Sequence, residues 1–165
     1  MVDGEASRSR FQAFRARVRS MVDEVLSAES EPDAPVTAPP VEGRQLRVLV
    51  VDDNEINLRV AAGFLKKLGH SVELTMDGYA AVEAARVELF DLVLMDCHMP
   101  LMDGYETTRQ IRRLGTPNGA IPIIAMTAAD SATRAVCLGA GMNDFLRKPV
   151  TKEQLADLLR QWCRA

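Results

Sequence analysis

From position 45 onward, apolar runs of strand length alternate with stretches of helical spacing, five times over. The runs fall near residues 46–52, 71–76, 91–96, 121–127 and 143–147. The first, third and fourth are almost wholly apolar, as strands covered on both faces are. Residues 71–76 alternate more, which suits an edge strand. Helices are expected near 55–68, 78–89, 104–114 and 131–138, with a last one over 152–162. In the first helix Ile56, Val60, Phe64 and Leu68 recur every four residues and are expected to form one buried stripe. Gly69 stands where a C-cap belongs, and Gly139 and Gly141 punctuate the exit of the fourth helix. Alternating βα units predict a doubly wound α/β fold, with a five-stranded parallel sheet, helices on both faces and right-handed crossovers.

Before position 45 the pattern changes. Residues 29–43, ESEPDAPVTAPPVEG, hold four of the eight prolines and almost no large apolar side chain. Such a stretch buries too little surface to offset ordering entropy and is expected to stay extended or disordered. Ahead of it a helix is expected over about residues 9–28. Phe11, Phe14, Val18, Met21 and Val25 are spaced three, four, three, four, an a/d stripe two heptads long. Arginines crowd the first half of that helix and acids the second, against the helix dipole. Three readings stay open for it: a frayed tail, a docking or self-association helix, and a membrane-surface helix that its acidic half opposes.

At 165 residues the chain suits one domain plus an extension, and 47% apolar content suffices for a packed core. A net charge of −3 leaves no footprint for nucleic acid or an anionic membrane. No apolar run approaches the roughly 20 residues that span a bilayer. The N-terminus has no apolar signal core, so a cytoplasmic protein is expected. Cys97, Cys137 and Cys163 are scattered without CxxC spacing, which fits reduced thiols. With only His70 and His98 as nitrogen ligands, a structural zinc site is not expected.

The chemistry lies at the ends of the predicted strands. Asp52 and Asp53 follow the first, Asp96 the third, Thr127 the fourth and Lys148 the fifth. In an open parallel sheet these ends share one edge, where ligands bind. An Asp-Asp pair alone is as well read as a solvated turn or a helix cap. A third Asp ending another apolar strand turns the reading towards a metal site. Mg²⁺ takes oxygen ligands octahedrally and keeps several waters, so Asp53, Asp96 and a backbone carbonyl would suffice. Lys148 precedes Pro149, which forces a local turn and lets its ammonium point into the acids. Thr127 has a hydroxyl that can donate to a phosphoryl oxygen, or simply to a backbone carbonyl.

The segments VLVVDDNEIN, DLVLMDCHMPLMDG, IIAMTA and GMNDFLRKP resemble the four motif blocks of the response-regulator receiver domain. The likeness covers about residues 46–164, and DDNEIN and MDCHMPLMDG are most similar to receivers of hybrid sensor histidine kinases. It implies a flavodoxin-like sheet of order 2-1-3-4-5 with an N-terminal helical extension. The chain then divides into a helix at 1–28, a linker at 29–45 and a receiver at 46–165. It also implies roles. Asp96 would accept a phosphoryl group from a histidine kinase or histidine phosphotransfer protein. Asp53, Asp96 and the backbone carbonyl of His98 would hold Mg²⁺, and Asp52 would anchor metal-bound water. Lys148 would pair with Asp96 at rest and with a phosphoryl oxygen afterwards. Thr127 would capture another oxygen, and Phe145 would be the aromatic switch. A cis Lys148–Pro149 bond is expected. The module would catalyse only its own phosphorylation and dephosphorylation, and would change a partner-binding face built from the fourth helix, fifth strand and fifth helix.

Some features depart from the family or distract. His98 stands where hybrid-kinase receivers commonly have Gln, and Ala129 offers no polar group to position water, so phosphate lifetime is not readable. Cys97 reads as a packing residue. The run GAGMND follows a helix and precedes a strand, the reverse of a nucleotide fingerprint. The methionines are expected mostly on strands and helix cores. Two rival functions are an Asp-nucleophile, Mg²⁺-dependent phosphatase and a phosphorylation-independent binding module. The phosphatase class wants its nucleophile on the first strand in a DxD pattern, whereas this strand ends Asp-Asp-Asn. Whether the chain is a stand-alone regulator or the receiver of a hybrid kinase stays open.

Overall fold

The computed structural model describes residues 44–128 and 132–163, together with Ala16, which is helical. The expected helix over 9–28, apart from Ala16, and most of the linker lie outside the described residues, as does Ala129. The chain divides into two units, Met1–Pro39 and Pro40–Ala165; the rest concerns the second.

Five strands form its sheet: β1 (Arg47–Val51), β2 (Ser71–Thr75), β3 (Leu92–Asp96), β4 (Ile123–Thr127) and β5 (Asp144–Arg147). All pairings are parallel, in the order β2-β1-β3-β4-β5. Every residue of β3 and β4, and all of β1 but Arg47, is buried, which their unbroken apolar runs required. The alternating β2 lies at one edge and β5 at the other. The helices are α1 (Glu55–Lys67), α2 (Gly78–Val87), α3 (Gly104–Arg112), α4 (Ala132–Ala140) and α5 (Lys152–Trp162). Right-handed crossovers put α1 beside α5 on one face, with α2, α3 and α4 in a row on the other.

Helices α1, α2, α3 and α5 each have a polar cap. Asn54, Asp77 and Asp103 accept the N–H of Ile56, Ala80 and Glu106, and Thr151 forms a capping box with Gln154. The cap of α1 is therefore Asn54, which leaves Asp52 and Asp53 for other work.

The buried face of α1 differs from expectation. Leu58, Ala61, Ala62 and Leu65 face the core, while Ile56 is 70% and Val60 44% exposed. The reason is helical geometry. A strict four-residue repeat precesses by about 40° per step, so its first members swing off the face that its last members share. The i, i+3, i+4, i+7 set 58, 61, 62, 65 stays on one side. Gly69 does follow α1 with φ +87°, but Gly139 lies inside α4 and only Gly141, at φ +100°, terminates it. Of the methionines, Met95 and Met126 lie on strands, whereas Met99, Met102 and Met142 plug the core from loops. An unbranched thioether suits such irregular gaps.

Candidate functional site

The functional side chains meet where the sheet order reverses, at the C-terminal ends of β1 and β3. Asp52 and Asp53 leave β1, Asp96 ends β3, Thr127 ends β4, and Lys148 follows β5. Register places Asp96 opposite Met126, and the Lys148 N–H donates to the Thr127 carbonyl at 2.8 Å. That bond joins the ends of β4 and β5 and brings the lysine stem back towards the centre. The Lys148–Pro149 bond is cis, as expected.

Carboxylate oxygens of Asp52, Asp53 and Asp96 lie within 4.8 Å of one another. Asp52 is 1% and Asp96 4% exposed, while Asp53 faces solvent. Lys148 Nζ lies 2.8 Å from Asp52 Oδ2 and 3.1 Å from Asp96 Oδ1. It is therefore shared between two acids: the Asp96 contact that the resemblance implied is present, and the contact to Asp52 is shorter. The His98 N–H donates to Asp96 Oδ1 at 3.2 Å. Burial above all, then the Asp52 charge, push the Asp96 carboxyl above the usual carboxylate range, although Lys148 and the His98 N–H oppose them. Burial also works against the Lys148 ammonium, but Asp52 and Asp96 outweigh it and raise its pKa.

The donor set fits a hard divalent cation. Three acids cluster around one ammonium that contacts two of them. All the ligands are oxygens, and one acid faces solvent, as an ion that keeps waters needs.

The loop after β3 is held by close packing. Met99 and Met102 turn inward, and Leu101 between them takes φ +68° and is 91% exposed. Gly104 opens α3 against the backbone of β3: a Cβ there would stand 2.1 Å from the Asp96 carbonyl oxygen. Cys97 is fully buried with its sulfur 3.9 Å from that of Cys137, and burial pushes its thiol up to about 12. It is an inert packing residue, as expected. The His98 side chain is exposed, its ring edge-on to Tyr105 at 6.3 Å. Phe145 is half-buried on β5, with the Arg134 guanidinium of α4 5.9 Å from its ring centre.

Sequence reading missed Asn57. Its Nδ2 donates to both oxygens of Asp52, at 3.3 and 3.1 Å. The only available signal was its place one helical turn beyond the Asn54 cap. Tyr105, which contacts Cys97 and His98, was missed too.

The profile of the response regulator receiver domain matches residues 48–160. Sensor protein GacS of Pseudomonas syringae pv. syringae is 42% identical over 127 residues, 75% of this chain. Hybrid signal transduction histidine kinase E of Dictyostelium discoideum is 38% identical over 128 residues, also 75% of this chain. The chain spans only 14% and 8% of those two relatives. Among solved structures, the receiver domain of sensor histidine kinase PA1611 from Pseudomonas aeruginosa PAO1, with a magnesium ion coordinated in its active-site cleft, is 42% identical. It superposes with a TM-score of 0.67, covering 72% of this chain and 98% of that one. The Saccharomyces cerevisiae receiver domain of Ssk1, crystallised with the histidine phosphotransfer protein Ypd1, is 32% identical with a TM-score of 0.67, covering 72% and 88%.

Proposed function

The chain belongs to the response regulator receiver family, and from that premise we propose that Asp96 is its phosphoacceptor and a phosphohistidine protein its donor. One observation carries the assignment. Asp96 is the acid of the cluster that ends β3, buried, raised in pKa and in contact with Lys148 beside the switch point, whereas Asp52 and Asp53 leave β1. An oxygen of Asp96 attacks the phosphorus, a P–N bond breaks, and the neutral imidazole leaves once protonated. Asp53, Asp96 and the His98 main-chain carbonyl would hold Mg²⁺, with Asp52 holding its water. The ion would supply charge compensation for the equatorial oxygens. Lys148 turns from its two acids to a phosphoryl oxygen, and the buried Thr127 hydroxyl donates to a second. No group here makes a separate small-molecule substrate necessary. A phosphatase nucleophile would stand on β1, whereas Asp96 ends β3.

The donor is a histidine kinase or a histidine phosphotransfer protein. The output surface is the face of α4, β5 and α5. There α4 exposes Val136 and Leu138, and Phe145 lies half-buried beside Arg134, where inward rotation would change the surface. Phosphorylation shifts a pre-existing equilibrium on this face. Self-association belongs to the apolar stripe of residues 11–25, and residues 29–45 tether it to the receiver. We place the protein in the cytoplasm; among the described residues no helix is long and apolar enough to cross a membrane.

The test is incubation with phosphohistidine donors and Mg²⁺, followed by mapping of the modified residue. An alkali-labile phosphoryl group on Asp96, absent from Asp96→Asn, is expected. Transfer that survives Asp96→Asn contradicts the assignment.

A further inference from the structure

Asn57 contributes to this site from helix α1 and not from a strand end. Its amide donates to both oxygens of Asp52. A carboxylate only accepts, so the NH₂ end of the amide must face it. The other donors to Asp52 are the Asn54 N–H at 2.8 Å and Lys148 Nζ at 2.8 Å. Asp52 is 1% exposed, so bulk solvent has little access to replace a donor that departs.

Lys148 has two duties that conflict. It neutralises Asp52 at rest, and on the reading above it must also serve the phosphoryl oxygen. Each time it turns to phosphate, Asp52 keeps its full charge in a buried place. We propose that Asn57 is a positioning residue, a neutral clamp that fixes the Asp52 carboxylate towards the metal site while Lys148 is released to the phosphoryl group. Neutrality is essential to this role. A cation at position 57 would cancel the negative charge that attracts Mg²⁺, and a second acid would repel Asp52. An apolar residue would leave Asp52 leaning on Lys148 and hold the ammonium away from Asp96. The amide supplies donors without supplying charge. Its scaffold is rigid, because the Asn54 cap three residues earlier fixes the first turn of α1 and also donates its backbone N–H to Asp52.

The inference rests on the proposed phosphoacceptor site, and the experiment separates the two. Mg²⁺ is titrated calorimetrically into the full chain, its Asn57→Leu variant and its Asn57→Gln variant, each checked for folding by circular dichroism. Asn57→Leu is expected to bind Mg²⁺ about ten- to a hundredfold more weakly, the worth of one hydrogen bond to a charged group. Asn57→Gln, which keeps the amide, is expected to recover part of that loss. In the wild type, the Asn57 side-chain amide resonances should stay shifted and protected from exchange with Mg²⁺ and beryllofluoride bound. That measurement decides the matter if the leucine variant does not fold. Wild-type affinity in a folded Asn57→Leu variant, or an Asn57 amide that exchanges like a free one with beryllofluoride bound, overturns the clamp. Failure of the wild type itself to bind Mg²⁺ would instead overturn the phosphoacceptor reading on which the clamp depends.

Discussion

Asp96 is held in a place that resists its charge. Burial and Asp52 raise its pKa against the pull of Lys148. A carboxyl whose folded pKa exceeds its unfolded value contributes stability at low pH and loses it as pH rises through the folded value. In chelator, Asp96→Asn is therefore expected to melt above the wild type at neutral pH. The gap should close as pH falls through the carboxylate range, where the wild-type acid is also neutral. Saturating Mg²⁺ should narrow it from the other side, because only the wild type uses the ion fully. Thermal melts at several pH values check this, and a wild type more stable than Asp96→Asn in chelator at neutral pH would contradict it. At this scale Asp52, Asp53, Asp96, Thr127 and Lys148 were legible in the sequence because each directly follows or ends an apolar strand. Asn57 was not. An amide on the first turn of a helix looks like any solvated Asn, and its partner Asp52 is fixed only by the turn between β1 and α1.

Each element places the site through one packed face. In α1 that face is Leu58, Ala61, Ala62 and Leu65. Leu58→Ala is expected to cost about 2–5 kcal/mol. Ile56→Gln and Val60→Gln, on the exposed side, should each stay within about 0.5 kcal/mol of the wild type. Urea titrations distinguish this from the four-residue stripe, which would make Ile56 and Val60 the costly positions. In α3 the contact is backbone on backbone. Gly104→Ala puts a methyl 2.1 Å from the Asp96 carbonyl oxygen. It is expected to cost about 1–3 kcal/mol or more, and to displace Asp96 as well. A stable Gly104→Ala variant with wild-type Mg²⁺ affinity would contradict that. Element order was readable because periods of two and of 3.6 alternate cleanly. The inner face of α1 was misread because equal spacing in sequence is not equal angle on a helix. The methionines were misread because a loop that enters a core carries no period at all.

For the molecule as a whole, topology does the gathering. Strand order 2-1-3-4-5 puts the ends of β1, β3 and β4 side by side and closes the row with β5, so residues 96 positions apart in sequence, Asp52 and Lys148, meet at 2.8 Å. Alternation of strands and helices foretold a parallel sheet, but the order came through resemblance of the motifs, since periodicity does not say which strand lies beside which. Lengthwise, the self-association proposed for the apolar stripe over residues 11–25 concerns whole chains. Sedimentation should show a larger species for the full chain than for one starting at Gln45; monomers for both would end that idea. The site itself turns on whether three clustered acids need a divalent cation. Calorimetric titration of Mg²⁺ into the chain tests this most directly: one ion per chain should bind, and Asp53→Asn should weaken uptake by at least about tenfold, a step of some 1.4 kcal/mol. Absence of Mg²⁺ uptake, or uptake that Asp53→Asn leaves unchanged, would contradict the site described here.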